Sequence, residues 1–146
     1  MPKVVVTGVL LLAAFALAGC GGGGRKNHDP ANAILKSLGL EECSSRQVPS
    51  SVIVGNSTVS GVGSFAGARI FETAADCSKK GPRTTIYAAT FSTHEGVAAG
   101  AAGIKKLHPK AGVATFRTVV VGVVGPNAQQ TADKIVTHLS AGVINA

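Results

Sequence analysis

The spacing of apolar residues changes several times along this chain, and most of the changes fall at Gly or Pro. The first helical rhythm is short. Ile34, Leu35 and Leu38 share a face, Asp29-Pro30 offers a capping side chain followed by Pro at the first helical position, and Gly39 ends the run. Glu41 to Ser51 is polar, contains Pro49 and reads as a loop. Ser51 to Val59 alternates loosely through Val52, Val54 and Val59, and Phe65 to Thr73 offers a second strand. With Gly61-Val62-Gly63 as a turn between them, the two read as a hairpin. Cys77 to Pro82 is a basic loop closed by Gly81-Pro82.

The second half is more regular. Arg83 to Phe91 (RTTIYAATF) is rich in β-branched and aromatic residues and predicts a strand. Ser92-Thr93-His94-Glu95 fits a capping box. Val97, Ala101, Ile104 and Leu107 then follow at helical spacing, Lys105, Lys106 and His108 suit the negative end of the helix dipole, and Pro109 stops it. Ala114 to Val124 (ATFRTVVVGVV) is apolar on both faces toward its end, the pattern of one central, covered strand. Asn127-Ala128-Gln129-Gln130 is a second capping pattern, and Ala128, Ala132, Ile135, Val136 and Leu139 stripe a last helix. These elements predict one small α+β domain over residues 29–146, ordered α-β-β-β-α-β-α. About four strands form a mixed sheet, and a right-handed crossover joins two parallel neighbours.

Residues 1–19 have a different texture: one cation, Lys3, then an apolar core from Val4 to Leu17, then the small residues Ala18 and Gly19. That is the layout of a secretory signal, and it falls short of the ~20 apolar residues a membrane span needs. Leu17-Ala18-Gly19-Cys20 resembles the lipobox of bacterial lipoprotein precursors. The resemblance implies cleavage before Cys20, a diacylglycerol on its sulfur, an acyl chain such as palmitate on its nitrogen, and residence on the outer face of a cell membrane. Two or three acyl chains together anchor stably where one does not. Residues 20–28 follow as a Gly-rich tether; eight residues of such coil spread over roughly 15 Å.

The anchor also settles the cysteine count. Assigning Cys20 to lipid leaves Cys43 and Cys77, 34 residues apart (77 − 43), to form one disulfide in an exported protein. Glu42 and Asp76 immediately precede them, and neighbouring negative charge disfavours the thiolate that a catalytic cysteine needs.

Net charge is +7, or +6 without Lys3, and the cations are scattered. One Tyr, five Phe and no Trp give no stacking platform, so nucleic acid is not an expected partner. Another protein or an anionic envelope polymer suits the basic surface better. Catalytic motifs are also wanting. Gly61 to Gly67 has its third Gly misplaced for a dinucleotide loop, and Gly96, Gly100 and Gly103 belong to a helix, where they suit close packing on a sheet. His94 and His108 lie 14 residues apart on one helix, roughly 21 Å, too far to share a metal. A site joining His138 to either, or a hydrolase joining Ser92, His94 and Asp133, would require convergence of separate helices. The composition therefore predicts a non-enzymatic, lipid-anchored envelope protein that binds a protein, polymer or small ligand without a cofactor or metal. A purely structural accessory role is the alternative, with a small hydrolase behind it.

Overall fold

The computed structural model describes residues 30–48, 53 and 67–144. The signal, Cys20, the tether and Asp29 lie outside these residues. Among the described residues, three helices and five strands follow in the order α1 (Pro30–Ser37), β1 (Glu41–Gln47), β2 (Gly67–Ala74), β3 (Thr84–Thr90), α2 (His94–Leu107), β4 (Gly112–Phe116), β5 (Val119–Val124) and α3 (Ala128–Ile144). The strands form one sheet, β1-β2-β3-β5-β4, with every neighbouring pair antiparallel. The α+β class stands, but the sheet has five strands rather than four, and it is antiparallel rather than mixed.

The extra strand comes from dividing ATFRTVVVGVV. Arg117 takes φ 53°, and the Arg117-Thr118 turn folds β5 back on β4, pairing Phe116 with Val119. Burial explains which half lies inside. Val119, Val121 and Val123 fill one side of the sheet and Val120 the other, so β5 needs cover on both faces and sits between β3 and β4. The expected crossover is thereby altered. α2 carries the chain from β3 to β4, which run the same way, but β5 is inserted between them in the opposite direction.

Two further corrections concern the first half. Glu41–Gln47 is a strand, not a loop, pairing with β2 along its length with an irregularity between Glu42 and Ser44 at Cys43. It is an exposed, polar edge strand without alternation, so its pairing rather than its own pattern makes it a strand. Of the strand expected over Ser51–Val59, only Ile53 is described. It has helical backbone and is fully buried, and β2 pairs with β1 and β3. The Gly61-Val62-Gly63 turn lies outside the described residues.

The helices cover both faces. α1 and α3 pack Ala31, Leu35, Ala132 and Ile135 against Phe71, Ile86 and Val121. α2 packs Val97 and Ile104 on the opposite side, with Phe91, Ala89, Val120 and Ile53. Gly96, Gly100 and Gly103 are buried beside Val97 and Ile104, as expected, whereas Leu107, expected on the same stripe, is 49% exposed. The glycines allow the close approach. A Cβ on Gly100 would lie 2.6 Å from the Phe91 ring. The cap is displaced by one residue as well, since Thr93 rather than Ser92 accepts from the Gly96 N–H at 3.1 Å. Cys43 and Cys77 form the expected disulfide, tying β1 to the loop after β2. No helix among the described residues is long and apolar enough to cross a membrane.

Candidate functional site

One end of the sheet opens into a pocket of about 270 Å³ between the turn that follows α1 and the start of α3. Its first wall is made by the way α1 stops. Gly39 takes φ +69°, its N–H bonds Lys36 C=O at 3.0 Å, and the Leu40 N–H bonds Leu35 C=O at 2.9 Å. This pair of bonds is a Schellman ending, which needs a left-handed residue where Gly stands. It leaves Leu38 and Leu40 on the pocket wall, joined by Pro82.

The second wall is the first two turns of α3: Asn127, Gln130, Thr131 and Lys134, spaced to share one helical face. Asn127 does not cap this helix as expected. Its φ of 53° lies outside the extended conformation of an N-cap, and no side chain among the described residues accepts from the N–H of Ala128, Gln129 or Gln130. The first intrahelical bond runs from Thr131 N–H to Asn127 C=O at 2.9 Å.

Thr84 also lines the pocket and faces the same side of the sheet as Ile86. Its carbonyl accepts from the Thr73 hydroxyl at 2.8 Å. Gly125 stands beside the Thr84 hydroxyl, where a Cβ would come within 3.0 Å of Oγ1. No carboxylate, imidazole or thiol is among the described residues that line this pocket.

The opposite face carries a second polar group. Tyr87 Oη lies 2.9 Å from Nε2 of His108, the C-cap of α2, and Thr85 Oγ1 donates to both carboxylate oxygens of Glu72 at 3.1 and 3.2 Å. Burial holds the Tyr87 phenol above its ordinary pKa, the negative charge of Glu72 adds to the rise, and Arg46 opposes it. A raised phenol keeps its proton across the physiological range, so it is not poised there as a general base. Arg69, buried on the α1/α3 face, is likewise occupied by Ser45, by Glu42 at 3.5 Å and by the Phe71 ring at 4.9 Å.

The residues singled out from the sequence do not converge. Ser92 and His94 belong to the start of α2 and Asp133 to α3, on opposite faces of the sheet, and Asp133 accepts from Gln129 Nε2 at 2.9 Å. His138 of α3 pairs with Ser37 at 3.0 Å, away from both His94 and His108. Among the described residues no group of three or more His, Cys, Asp or Glu is placed to hold a metal. The pocket residues Thr84, Gln130 and Lys134 carried no signal of their own, because a Thr in a β-rich run and a Lys in an amphipathic helix are ordinary there. Comparison with known proteins adds no relative: no family model matches the chain, nor does any curated protein or solved structure.

Proposed function

We propose that this protein is exported and held on the outer face of a cell membrane by lipid on Cys20. There its domain binds a small ligand non-covalently and performs no catalysis. The lipobox-like Leu17-Ala18-Gly19-Cys20 supports the anchor. The observation that carries the binding role is the make-up of the pocket between the end of α1 and the start of α3: one apolar wall, one wall of uncharged polar groups and a lysine, without an acid, base or nucleophilic thiol among its described lining. Small-molecule sites combine an apolar lining with a few placed polar groups, typically in ~300–1,000 Å³, and at about 270 Å³ this pocket suits a small molecule better than a polymer segment.

Two measurements test the proposal. Replacing Cys20 by Ser should move the protein out of the membrane fraction, and full retention in that fraction would remove the anchor. Native mass spectrometry of protein purified from its own membrane should show a non-covalent small molecule, lost on unfolding. If no molecule co-purifies and pocket variants behave as wild type, a structural accessory role is the better account.

A further inference from the structure

We infer that the pocket between α1 and α3 recognises an anionic oxygen group, a carboxylate or a phosphate, on a small organic molecule. The inference rests on the binding role proposed above and names the chemistry of the ligand.

Thr84 is the central observation. It is only 7% exposed, yet its hydroxyl has no hydrogen-bond partner among the described residues. No sealed, unsatisfied side-chain atom occurs among the described residues, so Oγ1 is reached from outside, and the opening that Thr84 lines is the pocket. A hydroxyl of a lining residue that has no protein partner is free to donate to a ligand oxygen.

The walls add positive charge in the same place. α3 begins here, with Asn127 and Gln130 in the lining and the Gln130 N–H uncapped by any described side chain, whereas Thr93 caps α2. Unsatisfied first-turn donors and the helix dipole both favour an anion. One turn past Gln130, Lys134 lines the pocket without an acidic partner; the ion pairs among the described residues are Arg69–Glu42 and Lys79–Asp76. The neighbouring Asp133 is engaged by Gln129. The loop that ends at Pro82 in the wall carries Lys79 and Lys80; Lys79 pairs with Asp76 at 2.9 Å, and Glu41 accepts from the Cys77 N–H. A cation would meet no negative group in the described lining. Leu38, Leu40 and Pro82 opposite α3 offer an apolar wall to the rest of the molecule.

The test uses the intact lipidated protein, isotope-labelled, in neutral detergent micelles at constant ionic strength. Titration with inorganic phosphate and with acetate, followed by amide NMR, should produce saturable shifts at Gly125, Gln130 and Thr131 that sodium chloride does not. Lys134→Gln should weaken binding about tenfold, the scale of one lost charge-assisted hydrogen bond. Thr84→Val keeps the shape of the side chain and removes the donor, and it should weaken binding while the thermal melt stays close to wild type. Acetamide, the neutral counterpart of acetate, separates the two levels of the claim. Equal binding of acetamide and acetate would sink the anion and leave the binding role standing. Absence of any saturable shift, together with no co-purifying molecule, would sink both. Shifts centred on Lys79, Lys80, Lys105 and Lys106 and unchanged in the two variants would also overturn the assignment. Phosphatidylglycerol in the micelle, if it moves the same amides, identifies a lipid headgroup as the source of the anion; if it does not while phosphate does, the source is a soluble molecule.

Discussion

Gln129 closes the outer edge of β4 by exchanging two hydrogen bonds with Val113. The Val113 N–H donates to Oε1 at 3.1 Å, and Nε2 donates to the Val113 carbonyl at 3.1 Å. The side-chain amide thus stands where a further strand would pair, and Asp133 holds its nitrogen at 2.9 Å. An uncovered edge is a template for pairing with another chain. Gln129→Ala should therefore lower stability by about 1 kcal/mol, since the bonds are solvent-exposed. It should also raise the tendency to self-associate on heating. Urea unfolding and light scattering measure the two effects, and a variant unchanged in both would deny Gln129 this role.

The same junction contains the tightest approach in the molecule among the described glycines. A Cβ on Gly112 would lie 2.2 Å from the backbone carbon and oxygen of Ala128 and 2.3 Å from Gln129 N, so nothing soft is available to yield. Gly112→Ala should cost about 1–3 kcal/mol or more by forcing α3 away from β4. Gly142, in α3 with nothing within 4 Å of its added carbon, supplies the opposite sign. There Gly→Ala should stabilise by up to about 0.5–1 kcal/mol through helix propensity. Denaturation midpoints of the two variants should fall on either side of wild type.

Those two glycines also show how much the sequence reveals. α1, β3, α2 and α3 were legible because Pro, Gly and apolar periodicity agree locally, although the α2 cap lies one residue later than expected and Asn127 does not cap α3, and the Cys43–Cys77 bridge followed from counting thiols. β1 was not legible: EECSSRQ has no apolar alternation and is a strand because β2 pairs with it. The hairpin at Arg117-Thr118 was hidden since neither residue is a usual turn former and the run around it is uniformly β-prone. The pocket was hidden for a different reason. Thr84 and Lys134 are brought together by the sheet order and by the start of α3, and that juxtaposition leaves no trace in local spacing.

β1 has little apolar content of its own, so the disulfide adds a covalent tie to its pairing with β2. Cys43 lies at the irregularity in the β1–β2 pairing, and its bond to Cys77 closes a loop of 34 residues. Chain-entropy arguments give such a loop about 3–4 kcal/mol of stability. The double variant Cys43→Ala/Cys77→Ala should lose that amount in urea unfolding, and wild type under reductant should approach the same midpoint. Amide exchange should accelerate in β1 before it does in β3 or β5. Uniform acceleration across the sheet would mean that the bridge supports the whole domain rather than its edge.

Tyr87 is the single tyrosine of the chain and Trp is absent, so tyrosinate absorbance reports this residue alone. Its phenol is raised above 10.0 first by burial and then by Glu72, with Arg46 acting in the opposite direction. The folded protein should titrate later than the urea-unfolded chain. Glu72→Gln should bring the folded midpoint down, and Arg46→Gln should take it up. Stability follows with a definite sign. The folded state holds the proton more tightly than the unfolded state, so the contribution is complete below pH 10 and is lost as pH rises through the folded midpoint. Tyr87→Phe should remove that alkaline loss while also removing the 2.9 Å contact with His108 Nε2. If the folded midpoint lay at or below the unfolded one, burial would not be governing this phenol. The network beside α2 would then have to be reconsidered as a source of chemistry rather than of structure.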